Sequence, residues 1–192
     1  KRDIQVRKIC NSNNIPMYEF PTNGIIRKLN SRDKWSVIRN QRMSDKILPI
    51  PNALIPMPGY KSDKLPGKNS PIFGEKLIGK VQRGGRKSAI NDLTGFLTTR
   101  SQKYLYHISA PGLSSIYCSR LSAHLTWGCL SVREVVQSIK KRKQQLNSNE
   151  REYFIKNLTA FNSRLAWRCH FVQKIEDQPQ IETHCMPPAV ED

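Results

Sequence analysis

Between Cys118 and Glu134 the chain runs Cys-Ser-Arg-Leu-Ser-Ala-His-Leu-Thr-Trp-Gly-Cys-Leu-Ser-Val-Arg-Glu, so two hydroxyls and an arginine fall at the expected start of a short helix. Free backbone N–H groups and the helix dipole favour an anion there, such as a pyrophosphate. A serine in that place also serves as an ordinary N-cap, and the residues alone leave both uses open. The run Lys140-Lys141-Arg142-Lys143 offers a phosphate or nuclear-import patch, or simply the solvated end of a helix. His170 beside Cys169 and His184 beside Cys185 suggest metal ligation. Adjacent residues point to different sides of a helix, however, and no second pair completes a tetrahedral set, so no metal site is expected. No nucleophile, base and orienter are arranged for hydrolysis.

The elements that position these groups follow from periodicity. After Gly84-Gly85, Ala89, Leu93, Phe96 and Leu97 fall on one helical face. Ser131 and Glu134 have capping-box spacing, which predicts a helix from Val132 that buries Val135, Val136 and Ile139 and ends in the basic run at Lys140–Lys143. Asn147 and Glu150 are spaced to cap another helix over 149–175, with Phe154, Leu158, Phe161, Leu165 and Val172 on its apolar face.

Ahead of this helical part, prolines at 49, 51, 56, 58, 66 and 71 and glycines at 59, 67, 74 and 79 exclude a long helix or central strand, so a linker is expected. Its Ile47, Leu48, Ile50, Leu54, Ile55 and Met57 are too many for a solvated tether, and it is expected to lie against a domain surface. Earlier still, Val6, Ile9, Cys10 and Asn13 have helical spacing, Met17 to Phe20 suggest a short strand, and Pro21 to Gly24 a turn. That order matches the last α/β unit of a parallel sheet.

The chain has 192 residues and a formal charge of +17. The basic excess covers residues 1–150, whereas 151–192 hold 5 basic and 6 acidic side chains. A polyanion is the natural partner, because Lys and Arg on backbone phosphates release condensed counterions. Five scattered cysteines without a C-x-x-C pair point to reduced thiols in an intracellular protein rather than a disulfide framework or zinc ribbon. No apolar stretch approaches the roughly 18 to 20 residues that span a bilayer, so a soluble chain is expected. The opening at Lys1 and the close after Pro187-Pro188 suggest cuts through a longer protein.

The order from Cys118 to Glu134 resembles the signature of the photolyase/cryptochrome family, roughly [T/C]-S-R-L-S-x-x-L-x-x-G-x-[L/I]-S-x-R-E. The resemblance extends to Tyr104–Pro111, similar to the family's Y-x-x-x-R-x-x-P element, and to Phe161–Arg168, similar to its W-x-N-E-L-x-W-R segment. It implies the end of a Rossmann-like α/β antenna domain (1–45), an interdomain linker (46–83) and the first half of a mainly α FAD-binding domain (84–192). The cofactor implied is FAD, gripped at its phosphates by Cys118, Ser119, Arg120, Leu121 and Ser122, and touched by Tyr104, Phe161 and Arg168. An antenna pigment would sit outside this chain. Trp167 would face a flipped pyrimidine dimer, with Arg164 beside it as the second catalytic candidate.

The implied activity is that of an FAD-dependent DNA photolyase, with DNA as partner, as a monomer in the cytoplasm, nucleoid or nucleus. Arg164 stands where dimer-repairing members usually carry glutamate, and a guanidinium has no acceptor to offer. Ile108 replaces the arginine of the tyrosine element and removes one expected DNA contact. A cryptochrome-type photosensor without repair activity and a basic nucleic-acid-binding protein without cofactor are the alternatives. The second half of the family's helical domain also holds the cofactor, so the 192-residue chain alone is expected to bind FAD poorly.

Overall fold

The computed structural model describes residues 2–20, 22, 24–56, 58–59, 61–67, 70–73 and 81–184. Pro21 and Asn23 of the expected turn, Met57, Gly74 and Gly79 of the linker, and Cys185, Pro187 and Pro188 lie outside the described residues. Those described are mainly helical and contain no strand. In chain order the α-helices are α1 (Arg2–Ser12), α2 (Trp35–Ser44), α3 (Arg86–Thr98), α4 (Tyr104–His107), α5 (Pro111–Tyr117), α6 (Ser122–Thr126), α7 (Val132–Gln145) and α8 (Ser148–Asp177). None is long and apolar enough to cross a membrane.

The helical periodicities hold. On α3, Ala89, Leu93, Phe96 and Leu97 are all buried. On α7 the buried set is Val132, Val135 and Ile139, with Val136 at its margin. On α8 Phe154, Leu158, Phe161 and Leu165 are buried, and Val172 is half-buried. These faces close one core with Tyr104, Leu121 and Leu130. The α7 helix runs two residues past the expected basic stop, to Gln145, where buried Leu146 leaves the helix.

Both expected capping boxes are formed. Glu134 N–H donates to Ser131 Oγ at 3.1 Å and Ser131 N–H to Glu134 Oε2 at 2.8 Å. Glu150 N–H donates to Asn147 Oδ1 at 2.9 Å, and Asn147 N–H to Glu150 Oε2 at 3.2 Å. The Arg86 guanidinium donates to Glu134 Oε1 and, at 3.1 Å, to the Cys129 carbonyl, which ties the start of α3 to the start of α7. That guanidinium, against the opposing effect of burial and with help from Ser131, holds the Glu134 carboxyl below its ordinary 4.5.

Removing a cap of this kind costs about 1 kcal/mol, and Ser131→Ala is expected to lower unfolding free energy by that amount in urea titrations. Because the folded carboxyl titrates below the unfolded one, the stabilisation is complete above the ordinary value and is lost as pH falls through the folded value. The deficit of Arg86→Met, which removes the main partner of the carboxylate, should therefore shrink on acidification, whereas the Ser131 Oγ cap accepts from a backbone N–H that does not titrate. An Arg86→Met deficit that stays constant down to full protonation of Glu134 would contradict this account.

The first 45 residues depart from the α/β expectation. The α1 helix forms where its spacing predicts and ends at Asn14 in the left-handed region (φ 53°), with Ile15 N–H donating to Cys10 O at 2.9 Å. Its apolar residues face solvent, however, with Val6 and Ile9 both exposed. The expected strand at Met17–Phe20 is absent, since no described segment offers it an edge. Ion pairs hold this region instead: Glu19 pairs with Arg7 and, at 2.6 Å, with Arg27, which also reaches Glu176 of α8 at 3.1 Å.

Residues 24–45 dock on the helical core. Trp35 Nε1 donates to Gly24 O at 2.9 Å, and the Arg42 guanidinium to Ile25 O at 2.6 Å. Gln173 of α8 clamps the Ile26 backbone on both sides, accepting from its N–H at 2.7 Å and donating to its carbonyl at 2.9 Å. Gln137 of α7 donates to Met43 O at 3.0 Å and Asp45 O at 2.8 Å. The described linker residues form no long helix, as their prolines require; Ile47 borders Ile90, Leu93 and Leu130 of the helical core, but the apolar side chains that follow are not buried there. Leu48, Ile50, Leu54 and Ile55 are all exposed, Ile55 at 96%.

Candidate anion-binding cavity

Tyr104 and Phe161 form the floor of a cavity of about 500 Å³, and the buried Phe96 supports both rings from behind. Phe96 of α3 meets Phe161 of α8 edge-on at 4.6 Å between centroids and Tyr104 of α4 at 5.5 Å. Tyr104 and Phe161 close the triangle at 5.6 Å. Asn157 sets the start of α4: its Oδ1 accepts from Leu105 N–H at 2.8 Å, while its amide donates to Gln102 O and Tyr153 O. Burial pushes the Tyr104 phenol up to about 12, against the pull of the Arg164 charge, so it stays protonated at neutral pH. Burial likewise raises the Cys118 thiol, opposed by Arg120 and Arg100.

Above this floor, Cys118, Ser119, Arg120, Leu121 and Ser122 form one wall, and Phe161, Arg164 and Arg168 on successive turns of α8 form the other. Nine of the ten residues singled out in the sequence thus line a single cavity. The tenth, Trp167, does not line it. Its side chain is 52% exposed, lies under the Arg164 guanidinium at 4.9 Å, and meets Phe171 edge-on at 6.1 Å. Ser114, Leu125, Thr126 and Leu165 line the cavity without having been singled out. Leu125 and Thr126 stand on α6 one turn beyond Leu121 and Ser122, and this spacing was the signal for them.

The electrostatics of the lining are one-sided. Arg120, Arg164 and Arg168 supply three guanidiniums, and no carboxylate lines the cavity. Among the described residues none of the three is paired with an acid. The hydroxyls of Ser119 and Ser122 add donors suited to an anion, whereas Ser114 and Thr126 give their protons to Pro111 O at 3.0 Å and Ser122 O at 2.9 Å.

The wall that carries Ser119 and Ser122 has an unusual backbone. Arg120 lies in the left-handed region with φ 61°, a conformation that costs about 1–3 kcal/mol for such a residue unless its surroundings enforce it. A polar cluster from other elements reaches this segment. Arg100 donates to Ser119 O at 3.1 Å and to Asp92 O at 2.8 Å. Gln82 Nε2 donates to Arg120 O at 2.6 Å and to Asp92 Oδ2 at 2.8 Å. His124 of α6, 2% exposed, places Nε2 3.0 Å from Asp92 Oδ2. Burial would raise the Asp92 carboxyl, but the hydrogen bonds from His124 and Gln82 and the Arg100 charge outweigh it and hold the group below 3.8. Sequence reasoning missed this cluster entirely.

Cys169 and His170 are described, as is His184, whereas Cys185 lies outside the described residues. His170 Nδ1 lies 3.0 Å from the Arg32 guanidinium and His184 Nδ1 2.8 Å from Thr183 Oγ1. Among the described residues no group of three His, Cys, Asp or Glu could hold an ion.

The chain is similar to Cryptochrome DASH of Gloeobacter violaceus, with 27% identity over 130 residues that cover 65% of this chain and 25% of that protein. It therefore spans about a quarter of the length of that relative. No protein-family model matches the chain, and no solved structure matches it.

Proposed function

We propose that this chain contributes one wall of the flavin site in a photolyase/cryptochrome-type flavoprotein, and that the cavity between α6 and α8 takes the diphosphate of FAD. The observation that carries the reading is the donor set: three acid-free guanidiniums and the hydroxyls of Ser119 and Ser122 line about 500 Å³ floored by Tyr104 and Phe161. Arg120 and Arg168 neutralise the phosphates, Ser119 and Ser122 donate to them, and Phe161 with Leu165 keeps the adjoining wall apolar. Similarity to a cryptochrome supports the cofactor class.

Bound reduced flavin supplies the light-driven electron on which dimer-splitting chemistry in this family rests. The protein's part is orientation, exclusion of water and positive potential. Arg164 adds a fixed positive charge at the cavity edge, where it favours any anionic form of a bound group. The net charge of +17 favours docking on DNA, and DNA photolyase is the activity proposed.

A second reading, a photosensor without repair, is favoured by one specific observation. Arg164 lies across Trp167, so the ring that would receive a flipped base already has a cation on it, and no carboxylate of the cavity can accept from the base. The deciding experiment uses the longest natural polypeptide that carries this sequence. Purified protein should show flavin absorbance and, under blue light, split thymine dimers in an oligonucleotide. Flavin without splitting selects the photosensor, and a colourless preparation that binds DNA defeats both flavin readings.

A further inference from the structure

The cluster behind the cavity wall has a geometry that packing alone does not require. Gln82 precedes α3, Asp92 lies on α3, and His124 lies on α6, yet their polar atoms meet around one carboxylate oxygen. The two hydrogens of the Gln82 amide are taken by Arg120 O at 2.6 Å and Asp92 Oδ2 at 2.8 Å. His124 Nε2 also lies 3.2 Å from that amide nitrogen, which has no hydrogen left to give it. His124 must therefore carry its proton on Nε2 and donate it to Asp92. The carboxylate thus accepts from both partners, and the arrangement has one consistent set of donors.

Arg120 O is the carbonyl of the one cavity-lining residue that is not glycine yet lies in the left-handed region. The neighbouring carbonyl, Ser119 O, is held by Arg100, which is itself anchored on Asp92 O. Two consecutive carbonyls are thus drawn away from the cavity toward Asp92. Their peptide groups consequently turn the N–H groups of Arg120 and Leu121 the other way, and Leu121 N–H is met by Ser119 Oγ at 3.4 Å. A left-handed residue next to a right-handed one, as Arg120 is next to Leu121 (φ −91°, ψ −8°), is a geometry that gathers backbone N–H groups into an anion-binding concavity.

We propose that Gln82, Asp92 and His124 are positioning residues that latch the Ser119–Ser122 backbone in its strained, anion-accepting form. For its ligand the proposal rests on the diphosphate reading above, whereas the latch itself concerns the backbone and is testable without ligand. A purely structural alternative has the cluster only fastening α6 to α3. The alternative makes a different forecast, because Gln82 belongs to neither helix and its amide could be lost without loosening them.

The test compares wild type, Gln82→Met and Asp92→Asn in the longest natural polypeptide that carries this sequence. Amide hydrogen exchange across Ser119–Leu125 is followed against the core amides of Leu158–Leu165, with binding of inorganic pyrophosphate measured alongside. The latch predicts at least tenfold faster exchange across Ser119–Leu125 in both variants with core exchange unchanged, and at least tenfold weaker pyrophosphate binding. Unchanged segment exchange in Gln82→Met overturns it, as does acceleration that only tracks core exchange. Should Asp92→Asn fail to fold, Gln82→Met decides alone, since Gln82 lies half-buried outside the helices. If wild type binds no pyrophosphate, the diphosphate reading falls, and the exchange comparison still decides the latch.

Discussion

Phe96→Ala is expected to destabilise the protein by about 3–5 kcal/mol, the range for truncating a fully enclosed phenylalanine. Since domains of this kind are stable by only about 5–15 kcal/mol, the variant should be largely unfolded in modest urea or at raised temperature. Phe96 is wholly buried, and its ring edge contacts both Phe161 and Tyr104. Deleting it removes the shared neighbour of the two rings that line the cavity, so the hole left behind adjoins that floor. Phe96→Leu, which keeps most of the volume, should lose far less. Equilibrium urea unfolding followed by tryptophan fluorescence measures both. A loss below about 1 kcal/mol for the alanine variant would mean that the aromatic triangle is not the keystone described here.

The second large effect concerns the guanidiniums of the cavity. A hydrogen bond to a charged group contributes about 1.5–3 kcal/mol, or roughly 10–150-fold in affinity. Arg168→Gln and Arg164→Gln should each weaken FAD binding to the longest natural polypeptide within that range, the double variant by more than either, and raised salt should weaken wild type most. Titration of flavin fluorescence gives these values directly. Affinity indifferent to both substitutions and to salt would remove the electrostatic basis of the proposed site.

Local rules exposed much of this architecture before any coordinates. The capping boxes at Ser131–Glu134 and Asn147–Glu150 depend on residues three apart, and the buried faces of α3, α7 and α8 depend on a 3.6-residue period, so each was readable within a short window. The grouping of Tyr104, the Cys118–Ser122 segment, Phe161 and Arg168 came from resemblance to a known signature, because no local rule brings residues of α4, α6 and α8 together.

What escaped the sequence was of two kinds. Met17–Phe20 has strand composition, but a strand needs an edge to pair with, and among the described residues there is none. The Gln82–Asp92–His124 cluster joins residues up to 42 positions apart through side-chain hydrogen bonds, which leave no periodic trace. Arg120 shows the limit most plainly, since nothing in its neighbours' identities announces a left-handed arginine.

The double clamp of Gln173 on Ile26 has a mechanical implication. Gln173 stands five residues beyond Arg168 on an uninterrupted helix, or about 7.5 Å along its axis. The clamp works like a single rung of sheet supplied by a side chain, so the early segment cannot slip along α8 without breaking both bonds. A tug on residues 24–29 is therefore delivered, through less than two turns of stiff rod, to the guanidinium on the cavity wall.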